Sequence, residues 1–223
     1  MMYLDDKALY DREYFDGYYL RDKKRDAMYL MERNRILKYV PTGGNILDIG
    51  CGIGGFLSTF DDRWRKNGTE PSEYAAEKAQ NKGIMIHRSL NVMDTASMDV
   101  IVFRGTFQHI NYPMQAIAQA TRILRRGGLM VFLATPDTDG IVYKIWHKLP
   151  ALDADRNWIL PSASMLTNIM RRLDFSVRVL HPYLDTPYAQ PVKDAAKFIQ
   201  SLFFGWRKFA FYGSMMEIYA IKL

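Results

Sequence analysis

Ile46-Leu47-Asp48-Ile49-Gly50-Cys51-Gly52-Ile53-Gly54-Gly55 decides how this chain is read. An apolar strand closes on an acidic residue, and a run of glycines then opens what reads as a helix. Residues without a Cβ let a nucleotide-like ligand approach bare backbone. The glycines alone are ambiguous, because Gly50, Gly52 and Gly55 also satisfy the dinucleotide spacing G-x-G-x-x-G. Asp48 separates the readings. A pyrophosphate at a helix N-terminus wants free N–H groups and positive dipole, not a carboxylate beside it. A ligand with a cationic end, an ammonium or a sulfonium, gains from that carboxylate.

Glu70 follows the glycine turn by about twenty residues, the interval at which a carboxylate can accept both ribose hydroxyls. It sits in Gly68-Thr69-Glu70-Pro71-Ser72, where a second strand would end. ILDIGCGIGGFL resembles the first motif of class I S-adenosylmethionine-dependent methyltransferases, and GTEPSEYAAEKA resembles their second. The resemblance implies a Rossmann-like, doubly wound seven-stranded sheet and S-adenosylmethionine as cofactor, with S-adenosylhomocysteine as product. It assigns the cofactor to Asp48, Gly50, Cys51, Gly52, Gly54, Glu70 and Pro71. Ser89 and Leu90 match the adenine position, and Arg104 and Gly105 the strand-four end beside the methionine moiety. Tyr14, in Glu13-Tyr14-Phe15, resembles an aromatic pair that covers the cofactor; packing on the domain is the alternative.

The chain has 223 residues, 48% of them apolar or aromatic and 24% charged, enough for one domain with a modest appendage. Residues 1–40 are expected to form an N-terminal helical cap and 41–223 the cofactor-binding core. A single cysteine, Cys51, excludes an intramolecular disulfide framework and suits a reducing, cytoplasmic compartment. Inside the glycine turn it reads as a small filler. No histidine–cysteine cluster has zinc spacing, so no metal is expected. No stretch of eighteen apolar residues suggests a membrane span. The net charge of +6 permits anionic substrates, but the basic residues are scattered, which argues against nucleic acid.

Periodicity predicts a helix from Asp22 to Val40, with Met28, Met31, Arg35 and Tyr39 on one face and Ile36 beside them, stopped by Pro41-Thr42-Gly43-Gly44. Strands are expected at 45–49, 64–69, 84–86, 98–103 and 129–134. Helices are expected from Gly52 to about Phe60, from the Ser72 cap to Gln80, and through Met114, Ile117, Thr121 and Leu124 to a stop at Gly127-Gly128. A further helix carries Leu166, Ile169, Met170 and Leu173, followed by a strand at 175–180 and a last one at 215–221. The resemblance implies that this last strand lies antiparallel, between the fifth and sixth.

An oxygen acceptor must lose a proton near the transition state of methyl transfer, a task suited to histidine. His109 follows the fourth strand in Phe103-Arg104-Gly105-Thr106-Phe107-Gln108-His109, and carboxyl ends of parallel strands line the ligand crevice. The resemblance makes it a candidate base, with Gln108 where relatives commonly carry Glu. The alternative is that it packs on the cofactor or caps the next helix.

Residues 136–162 and 181–212 are expected to face the acceptor. RGTFQHI, TPDTDGIVYKIW and HPYLDTPYAQPVKD resemble small-molecule members (types 11, 12 and 23) associated with surface-polysaccharide synthesis. That implies O-methylation of a sugar, nucleotide sugar or glycan precursor. A quinone-like or other aromatic hydroxyl, and a non-catalytic cofactor-binding subunit, are the alternatives. Trp146 or Trp158 could stack on a sugar and Lys144, Lys148 or Arg156 could meet phosphate, unless the tryptophans are core and the cations solvated. KFIQSLFFGWRKFAF at 197–211 reads first as a lid or internal packing, with membrane contact or a dimer interface as alternatives. Either a monomer or a homodimer is compatible with the chain.

Overall fold

The computed structural model describes residues 12–19, 23–152 and 157–223. Arg156 and residues 1–11 and 20–22 of the expected cap lie outside them. Seven strands form one sheet: β1 (Gly44–Ile49), β2 (Trp64–Thr69), β3 (Met85–His87), β4 (Met98–Arg104), β5 (Leu124–Pro136), β6 (Phe175–Leu180) and β7 (Met215–Lys222). Their order across the sheet is β3-β2-β1-β4-β5-β7-β6. β1 to β5 pair in parallel, whereas β7 runs antiparallel between β5 and β6. The expected strands and the inserted last strand are present.

Alternation along the strands sorts side chains onto two faces. Leu47, Ile49, Ile101, Phe103, Met130, Phe132 and Ile218 build one core with α4 (Pro113–Ile123) and α6 (Ala163–Arg172). Ile46, Val100, Val102, Leu129, Val131 and Tyr219 build the other, against Tyr29 and Ile36 of α2 (Lys23–Leu37). Asp48 and Arg104 share the alternation of this second face. α1 (Arg12–Tyr19) meets α3 (Glu73–Gln80), where the Tyr74 hydroxyl donates to Asp16 at 2.7 Å. Ser72 caps α3 as expected, accepting the Ala75 N–H, and Ser162 caps α6 through Met165.

Three expectations on helices are corrected. Residues 52–60 form turns with a 3-10 segment only at Leu57–Thr59. Gly52 and Gly54 take φ of +54° and +75°, outside the right-handed helical region, while Phe56, Leu57 and Phe60 still reach the core. α4 stops at Leu124, before Gly127-Gly128, because Leu124 already pairs with Met98 as β5 begins. Lys222 Nζ closes that helix end by donating to the Thr121 and Leu124 carbonyls at 2.6 and 2.8 Å. The buried stripes are also displaced. α2 buries Arg25, Met28, Tyr29, Glu32 and Ile36, and α4 buries Ala116, Ile117, Ala120 and Ile123 while Met114 faces solvent.

Candidate functional site

Strand order reverses between β1 and β4, and ligands of open α/β sheets bind outside the carboxyl ends at such a point. A cleft with about 580 Å³ of open space lies there. Its lining draws Ile49 and Gly50 from the end of β1, Thr69, Glu70 and Pro71 from β2, Arg88 to Leu90 after β3, and Thr106 and Ile110 after β4. Gly50, Glu70, Pro71, Ser89 and Leu90 were all singled out from sequence. Arg88, Thr106 and Ile110 were not, although each lies one or two residues from a position that was.

Glu70 organises the cleft wall. One carboxylate oxygen accepts the Gly52 N–H and the other the Ser72 N–H, each at 2.9 Å. The glycine turn is thereby tied to the start of α3. Gly50 and Cys51 both donate their N–H to the Thr69 carbonyl. Gly50 needs its positive φ of +76° and its missing Cβ, which would stand 2.5 Å from Thr106 Cγ2. A Cβ on Gly54 would meet Ile84 and Ala79, so a side chain there has no room. The Cys51 thiol is buried against Gly68 and pushed up by that burial, as suits a filler.

Burial raises the Asp48 carboxyl to about 7, with Arg104 opposing and Glu32 and Glu70 adding to the rise. Its Oδ1 has no hydrogen-bond partner. Glu70 is likewise raised to about 7 by burial, against its two backbone donors. The Arg104 side chain turns from the cleft to the fully buried Glu32, with Nε 2.5 Å from Oε2. Its guanidinium also lies over the Tyr29 ring, 4.3 Å from the centroid. Periodicity missed this pair because it follows apolar residues only.

His109 ends a 3-10 turn, Phe107–His109, and lies beside rather than in the cleft lining. Gln108 Nε2 is 3.2 Å from its Nε2 and also donates to the Gly105 carbonyl. Tyr112, not His109, is the N-cap of α4. Tyr14 stands outside the lining, edge-on to Phe15. A second histidine was not anticipated. His181 Nε2 is 2.7 Å from Oδ2 of buried Asp137, whose Oδ1 accepts the N–H groups of Asp139 and Ala163. Asp137 and His181 directly follow β5 and β6, at the same sheet edge, and the rule that selected His109 would have found them. Trp146, at the end of α5 (Ile141–Trp146), packs among Phe198, Trp206 and Phe209 and donates Nε1–H to the Ser201 carbonyl, whereas Trp158 is exposed.

Residues 21–180 match the model of a methyltransferase-domain family. The chain belongs to that family. The tRNA U34 carboxymethyltransferase of Dichelobacter nodosus is 24% identical over 156 residues, 65% of this chain and 50% of that protein. The chain spans about half the length of the curated relatives it matches. A SAM-dependent methyltransferase of Thermotoga maritima, described as a possible histamine N-methyltransferase, superposes with a TM-score of 0.57 at 20% identity, over 94% of this chain and 98% of its own. The plantazolicin methyltransferase BpumL, solved with a triazolic desmethylPZN analog and SAH, gives 0.62 at 16% identity, over 98% and 91%. The methyltransferase domain therefore has a Rossmann-like class I fold, and S-adenosylmethionine is its cofactor. The residues present fit that group. A buried carboxylate with an unpartnered oxygen stands behind the glycine turn, and a second carboxylate lines the cleft.

Proposed function

We propose that this methyltransferase domain transfers the methyl group of S-adenosylmethionine to a hydroxyl of a sugar, nucleotide sugar or glycan precursor. The observation carrying the reading is the convergence of Gly50, Glu70, Pro71, Ser89 and Leu90 on one cleft at the strand-order reversal. Asp48 and the backbone of Gly50, Cys51, Gly52 and Gly54 hold the cationic methionine end, beside Arg104 and Gly105. Glu70 and Pro71 take the ribose, Ser89 and Leu90 the adenine, and Tyr14 covers it. Helices α1 and α2 of the N-terminal segment cap this side, while 136–152, 157–162 and 181–212 face the acceptor.

The bound cofactor supplies an electrophilic methyl on a sulfonium, whose sulfur leaves as a neutral thioether without protonation. The protein's task is to align the acceptor oxygen with the methyl carbon and to remove the hydroxyl proton. His109 is the proposed base. The Asp137-held His181 is the second candidate, favoured by the buried carboxylate that orients its ring. His109→Ala should lower kcat by about 100-fold and leave cofactor affinity unchanged. Transfer of that loss to His181→Ala would move the base to the Asp137 pair.

Cofactor affinity should depend on pH. Burial pushes the Asp48 and Glu70 carboxyls up to about 7. A cationic group and hydroxyl donors both favour their charged forms. Affinity should therefore rise as pH increases through about 7, with protons released on binding. Titration calorimetry in buffers of different ionisation enthalpy reads this directly; a flat profile without proton release would remove both carboxylates from the site.

Transfer of labelled methyl into nucleotide sugars, envelope-glycan precursors, aromatic hydroxyl compounds and total tRNA, read by mass spectrometry, tests the acceptor. A labelled sugar supports the proposal. Labelled tRNA, the substrate class in the name of the Dichelobacter relative, overturns it. No transfer with cofactor binding intact points to a non-catalytic subunit.

A further inference from the structure

The helix α7 (Pro191–Phe204) has two apolar faces rather than one. Its inner face presents Phe198 to Trp146, Phe209 and Phe211, and buries Asp194, which accepts the Tyr183 hydroxyl at 2.7 Å and the Gln190 N–H at 3.0 Å. Val192, Ala196, Ile199 and Phe203 recur at i, i+4, i+7 and i+11, a single helical stripe on the opposite side. Val192, Ile199 and Phe203 are 85%, 57% and 76% exposed, and Phe204 beyond them 77%. A surface helix ordinarily shows polar residues there. Contiguous exposed apolar groups of this size mark an interaction surface.

The charge around this stripe has one sign. Lys193, Lys197, Arg207 and Lys208 are exposed. Asp194 is the lone acidic residue between Asp185 and Glu217 in sequence, and it is buried. We propose that α7 and the turn after it dock on an anionic membrane surface, the stripe entering the interface and the basic residues meeting headgroup phosphates. An apolar helix face rimmed by cations is the pattern of helices lying in the plane of a bilayer. A symmetric pairing of two copies through the same stripe would bring the basic rims together, a like-charge juxtaposition that disfavours self-association. The inference stands apart from the identity of the methyl acceptor.

Co-sedimentation with phosphatidylcholine vesicles, with and without phosphatidylglycerol, tests it on the full chain. The protein should pellet with the anionic vesicles at low salt and be released at high salt. Ile199→Asp combined with Phe203→Asp should weaken binding at least about tenfold. Lys193→Ala with Arg207→Ala should do so by about tenfold to thirtyfold. All four side chains are exposed, so far-UV circular dichroism and the melting temperature should match the parent, which excludes unfolding as the cause. Absence of pelleting, equal pelleting with neutral vesicles, or binding indifferent to the aspartates overturns the proposal. A dimer in sedimentation velocity that Ile199→Asp dissolves, without vesicle binding, reassigns the face to a second copy.

Discussion

Arg104→Met should lower the free energy of unfolding by about 3–5 kcal/mol, because it strands the carboxylate of Glu32 in the core. Glu32 has no solvent exposure, and Arg104 is its hydrogen-bond donor through both Nε and Nη2. The remaining charge would have to be neutralised by a proton or hydrated by a rearranged helix, and either route is costly. Urea unfolding followed by circular dichroism measures the loss, which corresponds to a melting temperature lower by about 10 °C. Adding Glu32→Leu to Arg104→Met should restore most of the stability, since an apolar pair can replace a buried ion pair at little cost. A single mutant within about 1 kcal/mol of the parent would show that the pair is not holding a buried charge. Cofactor affinity should also fall in both variants, because Arg104 is the group that favours the charged form of Asp48.

Glu70→Ala should weaken S-adenosylmethionine binding by about 100-fold or more. Two hydrogen bonds to a charged group, each worth about 1.5–3 kcal/mol, account for that range if the carboxylate accepts both ribose hydroxyls. The substitution also frees the Gly52 and Ser72 N–H groups that Glu70 now holds, loosening the glycine turn. Glu70→Gln separates the two effects. Its amide oxygen can keep one backbone bond and fill the same space, yet it brings no charge. Calorimetry showing Glu70→Gln near the parent and Glu70→Ala weak would assign the loss to turn order; equal loss in both assigns it to the carboxylate. Unchanged affinity in both would remove Glu70 from the cofactor site.

The positions of β1, β2, β4 and α3 were legible because their signals are local: apolar runs at β1 and β4, the place of β2 just before Glu70, and a serine cap on α3. The cleft residues Glu70 and Ser89 were legible because they follow strand ends. Three features were not. The 52–60 segment has an apolar spacing compatible with a helix, but positive φ at Gly52 and Gly54 breaks the ladder. The α2 stripe was misplaced because Arg25 and Glu32 occupy buried positions that a count of apolar residues passes over, and Glu32 finds its partner 72 positions along the chain. Asp137 and His181 each follow a strand end, where the rule used for His109 applies, but their pairing spans 44 positions and nothing in either local segment announces it.

The insertion of β7 sets a temporal constraint on assembly. β5 and β6 both take β7 as their neighbour, so the edge of β5 facing it and the edge of β6 facing it stay unpaired until residues 215–222 have been synthesised. On a ribosome adding roughly 5–20 residues per second, the chain from Asp137 to Ser214 emerges while β5, rich in Leu, Met, Val and Phe, offers open backbone groups. Such an edge is a template for pairing with another nascent chain. Translation speed and chaperone supply while residues 137–222 are made should therefore govern soluble yield more strongly than they do while β1 and β2 are made.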